Sequence, residues 1–241
     1  MSYSYSKVKT FKECPYKYYL KYMKNIKAKP SLDPSSPLFL GTACHTGIET
    51  RSIEKAIEDY RSNYNYINPL HEAEMIKLRK VLEKAIKQIP EGEYEYKLSD
   101  EDGFVGFIDC LVPVSDGVYD ILDFKYSNNQ SKYKKSGQVH IYKYYFEKLT
   151  GKKIRNIYYV FIPKLRTPDD EVPDITMLPV RYNPQQIEMF KISKEEMDKA
   201  TAFEKCPNQY CKSCDYFRYC GSNGEDCTGL IMEPEEVSLF G

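Results

Sequence analysis

Apolar residues recur at helical spacing in two long stretches of the chain. The first predicts a helix over residues 6–23, followed by a loop marked by several prolines. The second predicts an amphipathic helix over residues 71–88 that Pro90 closes. The apolar positions of this second helix are Leu78, Leu82, Ala85 and Ile89.

Three strand-like runs follow the second helix. They cover residues 93–98, 104–112 and 118–125. The joints between them contain Asp and Gly, at 100–103 and 115–117, which is the composition of hairpin turns. The three runs are therefore predicted to be antiparallel neighbours in one sheet.

The rest of the chain continues to alternate between helix and strand. The pattern predicts a helix over residues 132–149 that stops at Gly151, and a buried central strand over residues 154–162. A loop rich in Pro and Asp, a short strand and a helix over residues 184–203 come next, before a cysteine-rich end. The order of elements predicts an α/β fold, with a mixed sheet flanked by helices.

Composition excludes several classes of protein. The chain has 241 residues, 41% of them hydrophobic, which is enough for one sizeable core, or for a core with a small module attached. No run of about 18 apolar residues predicts a membrane span, and the start of the chain has no apolar signal-peptide core. We therefore expect a cytoplasmic protein, either bacterial or viral in a host cell, whose eight cysteines bind a metal or cluster rather than form disulfides.

The formal net charge is zero, but the charges are segregated along the chain. Residues 7–29 contain eight lysines and one acid, and residues 125–155 contain nine basic residues and one acid. The last 21 residues carry five acids and no Lys or Arg. Basic segments interleaved with tyrosine suit contact with a phosphate-bearing partner such as DNA, although solvated helix faces would have the same composition.

The third strand-like run ends in an acid and an amine at alternate positions. Because side chains alternate along a strand, Asp123 and Lys125 are expected to share a face, while Phe124 points into the core. A hairpin can bring Asp109 of the preceding strand beside Asp123. Two neighbouring carboxylates repel each other unless a cation neutralises them, so the pair predicts a Mg²⁺ or Mn²⁺ site. Lys125 would then stabilise charge on an attacked phosphate, or help to deprotonate the attacking water.

Five segments and the cysteines near the end resemble the PD-(D/E)XK nuclease superfamily, in particular its RecB-like branch with AddB-type and CRISPR-associated iron–sulfur exonucleases. The Gly41-Thr42-Ala43-Cys44-His45 segment resembles the G-x3-H motif of that branch. Residues 106–109 (Gly-Phe-Ile-Asp) and 123–125 (Asp-Phe-Lys) resemble its second and third motifs, and residues 138–142 its Q-x3-Y motif. Residues 4–16 resemble its opening helix.

The resemblance implies a restriction-endonuclease-like core with a helical lobe, formed by both chain ends and ligated by cysteines. It divides the chain into a helical segment (1–40), the nuclease core (41–165), a helical and cysteine-bearing region (166–230) and an acidic tail (231–241). The activity it implies is hydrolysis of DNA phosphodiester bonds, as an exonuclease acting on ends or single strands in replication, recombination, repair or spacer processing. No phosphate-binding loop of an ATP motor occurs, so any helicase or recombination partner would be a separate protein.

The resemblance also assigns roles to individual residues. It implies that His45, Asp109, Asp123 and the carbonyl of Phe124 are metal ligands, and an imidazole among carboxylates suits Mn²⁺ as well as Mg²⁺. Gln138 and Tyr142 lie four apart, on one face of the predicted helix, and are expected to position DNA or Lys125. Glu93 and Glu95 of the first strand are equal candidates to approach the metal, and neither is preferred.

The cysteines near the end have the spacing of a ligand set. Cys211, Cys214 and Cys220 are compactly spaced, and a fourth ligand must come from Cys206, Cys227 or Cys14. The resemblance favours Cys14 and a 4Fe-4S cluster. A four-cysteine zinc site is the alternative, because spacing does not separate the two metals. Cys44 and Cys110 are expected to be buried thiols.

The acidic tail ends in Ser238, Leu239, Phe240 and Gly241. This ending resembles the short peptide with which bacterial replication proteins bind the sliding clamp, although Glu236 stands where that peptide has Gln. The alternative is a tail that folds onto its own body.

Two other functions remain open from the sequence. One is a non-catalytic DNA-binding scaffold that keeps the nuclease fold, and the other is an endonuclease stapled by zinc. The sequence retains every residue of the motifs named above, which favours a catalyst over a scaffold.

Overall fold

The structure is a computed structural model that describes residues 2–131 and 133–232. The α-helices are α1 (Tyr5–Glu13), α2 (Pro15–Tyr18), α3 (Pro37–Glu49), α4 (Ile53–Ser62), α5 (Pro69–Gln88), α6 (Gln138–Thr150), α7 (Gln185–Lys199) and α8 (Phe217–Gly221). The strands are β1 (Lys27–Ala28), β2 (Glu93–Ser99), β3 (Val105–Ser115), β4 (Val118–Tyr126), β5 (Lys153–Ile162), β6 (Thr176–Pro179) and β7 (Leu230–Ile231). The predicted clamp-binding residues Ser238, Leu239 and Phe240 lie outside the described residues.

A five-stranded mixed sheet has the order β2-β3-β4-β5-β6. The β2, β3 and β4 strands are antiparallel neighbours, as the Asp-Gly joints predict, and β5 runs parallel to β4. A parallel pair needs a crossover connection, which α6 supplies. The prediction of an α/β fold with a mixed sheet flanked by helices is confirmed.

Helices α3, α4 and α5 share one hydrophobic core with the sheet. The core contains Leu78 and Leu82 of α5, together with Leu122 and Phe124 of β4, and all four side chains are almost completely buried. The α5 helix begins at a strong cap, because the Asn68 side chain accepts hydrogen bonds from two backbone N–H groups of its first turn. This packing fixes α3 against the sheet, and α3 carries one of the predicted metal ligands.

The first predicted helix is interrupted. The α1 helix ends at Glu13, Cys14 has an extended backbone with φ −164°, and α2 begins at Pro15. Proline disfavours helical geometry in the residue before it, and its missing N–H suits the first position of a new helix. The prediction of one helix over residues 6–23 was therefore wrong, and the break places Cys14 at a corner.

The α6 helix begins at Gln138, six residues later than predicted. The segment before it forms a loop, in which the backbone N–H of Tyr133 donates to Gln130 and that of Ser136 donates to Tyr133. Gln138 therefore stands in the first turn of α6, directly after this loop. Helix α4 had no counterpart in the prediction.

The described chain forms two compact units, one of residues 32–187 and one of residues 3–31 with the chain from Glu188 onward. In the second unit β1 pairs with β7, and the buried residues Leu20, Ile26, Tyr216 and Leu230 pack together. The hydroxyl of Tyr216 donates a hydrogen bond to the carbonyl of Ile26 at 2.7 Å.

Within the described ranges, no helix has both the length and the apolar character that crossing a membrane requires.

Candidate active site

Two carboxylates meet where β3 and β4 stop pairing. The last paired residues at this end of the ladder are Cys110 and Leu122, and Asp109 and Asp123 occupy the next positions. Asp109 Oδ2 accepts a hydrogen bond from the backbone N–H of Phe124 at 2.7 Å, which fixes the carboxylate against β4. Burial raises the pKa of Asp109 well above its usual value, and the charge of Asp123 raises it further.

Asp123 is buried with one carboxylate oxygen unpaired. Its side chain is 2% exposed, and Oδ1 accepts no hydrogen bond from any described residue. Its charge is opposed by Lys125, whose Nζ forms an ion pair with Oδ2. A buried carboxylate with free lone pairs is costly by itself, but it is what the ligand of a hard cation requires.

Lys125 remains a cation in this site. Burial lowers the pKa of Lys125, but the charges of Asp123 and Asp109 outweigh burial and raise it above its usual value. A lysine with a raised pKa is a poor base at neutral pH and a good partner for negative charge. Of the two roles that the sequence allowed, the raised pKa favours charge stabilisation over deprotonation of water.

His45 projects from α3 toward the two carboxylates. Its Nε2 lies 3.2 Å from the carbonyl oxygen of Phe124, and its Nδ1 lies 4.0 Å from Asp109 Oδ2. Burial lowers the pKa of His45, and the charge of Lys125 lowers it further. The imidazole is therefore neutral near pH 7, which is the form that binds a metal. The structure thus places the carbonyl of Phe124 and the Asp109 carboxylate within 4.0 Å of His45, with Asp123 beside Asp109 at the end of the ladder. Ligand atoms of His45, Asp109 and Asp123 do not all lie within 4.8 Å of one another among the described residues.

Two further acids that the sequence did not select lie beside His45. Ligand atoms of His45, Glu49 and Glu95 all lie within 4.8 Å of one another. Burial raises the pKa of Glu49 to about 7, and the neighbouring carboxylate of Glu95 adds to this shift. Glu49 follows His45 by four residues on α3, so helical spacing alone could have indicated it.

The backbone of Glu95 has an unusual conformation for a strand residue. Its φ is 49°, which is rare for a residue other than glycine. The neighbouring pairs, Tyr94 with Cys110 and Tyr96 with Ile108, place Glu95 opposite Asp109. This register separates Glu95 from Glu93, the other candidate, which pairs with Leu111 at the start of β2.

Gln138 and Tyr142 lie in the first turns of α6, on one face. The Gln138 side-chain amide donates a hydrogen bond to the Tyr142 hydroxyl at 3.0 Å. Burial raises the pKa of Tyr142 to about 12, and the charges of Asp123 and Asp109 contribute in the same direction. Tyr142 is therefore protonated at neutral pH and lies near enough to the acids to be influenced by their charge.

A glycine accommodates the Tyr142 ring. A Cβ added to Gly106 would come within 2.9 Å of Tyr142 Cε1 and 3.1 Å of the Phe104 ring. We expect Gly106→Ala to lower the free energy of unfolding by about 1 to 3 kcal/mol, because two packed rings must shift. Urea denaturation measures this change.

Gly41→Ala is the matched control for Gly106→Ala. Gly41 lies inside α3, and a Cβ added there meets no atom within 4 Å. Alanine has the higher helix propensity, so we expect this variant to be as stable as the wild type, or more stable by up to about 1 kcal/mol. Equal stability of Gly106→Ala and Gly41→Ala would contradict the packing role of Gly106.

The predicted cluster cysteines lie in the second unit. Cys14 is at the corner between α1 and α2, and Cys211, Cys214 and Cys220 follow one another around a short 3₁₀ turn and α8. Burial raises the pKa of Cys220, and the charges of Cys14, Cys214 and Cys211 raise it further, so these thiols are neighbours. In the described chain no three of the cysteine sulfurs lie within 4.8 Å of one another.

The other cysteines have different surroundings. Cys44 and Cys110 are completely buried, as expected from the sequence. Cys206 and Cys227 are exposed thiols in the second unit.

The chain belongs to the PD-(D/E)XK nuclease superfamily, whose sequence profile matches residues 2–221. This match confirms the superfamily that the motifs resemble. No curated protein matches the chain by sequence.

The solved structures that resemble the chain include two of low sequence identity. One is a protein from Eubacterium rectale described as a "Putative exonuclease", with 14% sequence identity, a TM-score of 0.62 and coverage of 90% of this chain and 87% of that one. The other is SSO0001, with 14% identity, a TM-score of 0.41 and coverage of 92% and 86%. At this identity the first likeness shows the fold.

Proposed function

We propose that the chain is a metal-dependent DNA exonuclease. The observation that carries this proposal is the approach of His45 to Asp109 and to the Phe124 carbonyl, beside the buried Asp123 carboxylate that Lys125 contacts. The superfamily supports a phosphodiester substrate. The Eubacterium rectale protein has the same fold and is described as a "Putative exonuclease". That description supports the proposal that this chain acts on the ends of its substrate.

The donor set fits Mg²⁺ or Mn²⁺. Asp109, Asp123 and the Phe124 carbonyl offer oxygen ligands, and His45 offers a neutral nitrogen that suits Mn²⁺ better than Mg²⁺. When bound, such a cation polarises the phosphate and makes water a stronger nucleophile.

Two residues act directly on the substrate in this proposal, and a third, Gln138, holds one of them. Lys125 faces the phosphate and stabilises the negative charge that grows on it during attack. Tyr142, protonated and held by Gln138, either donates a hydrogen bond to the DNA backbone or accepts one from the Lys125 ammonium. In this proposal, phosphodiester hydrolysis takes place at the end of the sheet where β3 and β4 stop pairing.

Linear and circular DNA test the exonuclease proposal. In buffer with Mn²⁺, we expect the wild-type chain to degrade linear single-stranded or duplex DNA from its ends and to leave covalently closed circles intact. Chelation with EDTA should stop the degradation and added Mn²⁺ should restore it. Equal cutting of closed circles would show an endonuclease, and intact DNA in every arm would show a non-catalytic scaffold.

We further propose that Cys14, Cys211, Cys214 and Cys220 hold a 4Fe-4S cluster. The thiols of Cys14, Cys211 and Cys214 lie near enough to Cys220 to raise its pKa, which supports a shared site for the four cysteines, and the resemblance to iron–sulfur nucleases favours a cluster over zinc. Such a cluster would join the α1–α2 corner to the α8 region and suits the reducing cytoplasm that the cysteine usage predicts.

Cys14→Ser tests this ligand set. We expect protein purified without oxygen to contain iron and sulfide in equal amounts, and the Cys14→Ser variant to lose both. Loss of a cross-link over so long a loop should cost about 2 to 4 kcal/mol of unfolding free energy, by analogy with disulfides. Elemental analysis and thermal unfolding measure the two effects.

Cys206→Ser and Cys227→Ser are the matched controls, because both thiols are exposed in the same unit. Each should keep the full iron content. Zinc in place of iron, or iron retained by Cys14→Ser and lost from Cys206→Ser, would contradict the assignment.

A further inference from the structure

Two aromatic rings face the Lys125 ammonium. Its Nζ lies 5.5 Å from the centroid of the Tyr133 ring and 5.9 Å from that of Tyr159. Both distances are within the range of cation–π attraction. Tyr159 lies on β5, where it pairs with Asp123 of β4, and it is almost completely buried. The rings and the Asp123 carboxylate therefore all contact one cation.

Tyr133 reaches this position from the loop between β4 and α6. Its ring packs against Tyr159 at 6.1 Å and edge-on against Phe161 at 5.6 Å, measured between centroids. The turns at Gln130 and Ser136 fix its backbone. The ring is thus attached to the strand next to the one that carries Lys125.

The lysine side chain needs such support to keep one orientation. It has a flexible four-carbon stem, and the ammonium is a point charge without the directional fork of arginine. Asp123 attracts the ammonium from one side only. Aromatic faces at a second side restrict the rotamers that the stem can adopt and keep the ammonium near the acids.

We propose that Tyr133 is a positioning residue of the active site, which acts through Lys125 by holding its ammonium against an aromatic face. This inference rests on the proposed nuclease function. Because Tyr133 belongs to a loop and not to the sheet, the loop becomes part of the catalytic apparatus. Its exposed neighbours Lys134 and Lys135 are then also held beside the site.

Two substitutions of Tyr133 distinguish the role of its aromatic ring from the roles of its hydroxyl group and of its apolar bulk. Tyr133→Phe keeps the ring and should keep at least half of the wild-type cleavage rate. Tyr133→Leu keeps an apolar side chain but removes the ring, and should lower kcat about 3- to 30-fold, the range expected for a lost cation–π contact. The KM for DNA should change less than twofold, because the ground-state contacts with DNA remain. Thermal unfolding of each variant verifies that it is folded.

A double-mutant cycle tests whether Tyr133 acts through Lys125. In a Lys125→Ala background, measured under single-turnover conditions, Tyr133→Leu should change the residual rate less than twofold. Tyr182→Leu is the matched control, because the Tyr182 ring lies 5.3 Å from the ammonium of Lys143, outside the proposed site. This control should cleave DNA at the wild-type rate.

The outcomes distinguish this inference from the proposed function. If the wild type cleaves DNA and Tyr133→Leu cleaves it equally fast, the positioning role is wrong and the nuclease function stands. The role is also wrong if Tyr133→Phe loses as much activity as Tyr133→Leu, or if Tyr133→Leu slows the Lys125→Ala variant by the same factor as the wild type. A folded wild type that cleaves no DNA overturns both proposals.

Discussion

Replacing Lys125 by alanine should lower the rate of DNA cleavage by about 100-fold or more, while the affinity for DNA changes little. The expected loss is large because the ammonium is preorganised: it is in contact with Asp123, faces two aromatic rings and is mostly shielded from water. Single-turnover cleavage in Mn²⁺ measures the rate. Binding of DNA in Ca²⁺, which supports binding with little hydrolysis, measures the affinity.

Lys152→Ala is the matched control for Lys125→Ala. Lys152 precedes β5, is exposed and hydrogen-bonds the Tyr119 hydroxyl, outside the proposed site. Its removal should leave cleavage unchanged. A Lys125→Ala variant that cleaves as fast as the Lys152→Ala variant would refute the electrostatic role of Lys125.

Replacing Asp109 by asparagine should raise the free energy of unfolding when no metal is present. It should also reduce the gain in that free energy when Mn²⁺ is added. Without metal, the raised pKa of Asp109 means that the folded state favours the protonated form. The stabilisation from that proton is present below the unfolded-state pKa of about 4 and is lost as the pH rises through the folded-state pKa. At pH 8 the uncharged Asp109→Asn variant should therefore be more stable than the wild type, by on the order of 1 kcal/mol.

With added Mn²⁺ the wild type should instead be more stable than Asp109→Asn. Binding to the folded state stabilises the wild type by about 2.7 kcal/mol when the metal is at 100 times its Kd, whereas Asp109→Asn has lost a ligand and should gain much less. Urea denaturation between pH 5 and pH 8, with EDTA or with Mn²⁺, measures both effects. Equal gains from Mn²⁺ in the two proteins would exclude Asp109 as a ligand.

Asp120→Asn provides the contrast on the neighbouring strand, β4. Asp120 is also buried, but both of its oxygens are used: it is paired with Arg155 at 2.6 Å and accepts the backbone N–H of Asn156. Its replacement should lower stability in EDTA and leave the response to Mn²⁺ intact. The Asp109→Asn and Asp120→Asn variants, on adjacent strands, should therefore change stability in EDTA with opposite signs.

The sequence was sufficient to predict those parts of the fold and site that depend on neighbouring residues along the chain. Asp-Gly joints predicted the β2–β3–β4 meander, and alternation along β4 placed Asp123 beside Lys125. The break at Cys14 could have been predicted as well, because Pro15 restricts the residue before it. The superfamily was also indicated by motif residues alone.

Other parts of the site depend on contacts between distant segments. Glu95 and Glu93 are equivalent in an alternating pattern, and only the pairing register and the left-handed backbone of Glu95 distinguish them. The start of α6 was predicted too early because the packing of Tyr133 on β5 competes with the helical propensity of its loop. Periodicity contains no information on such tertiary contacts.

The left-handed residue in β2 also affects how copies of the protein meet in solution. The β2 strand is at the edge of the sheet, where unpaired backbone groups can recruit a strand from another molecule. Glu95 interrupts the regular edge, and Glu93 and Lys97 add exposed charge on either side of it. We therefore expect the distortion that places Glu95 near His45 to make this edge a poorer template for a strand from another molecule.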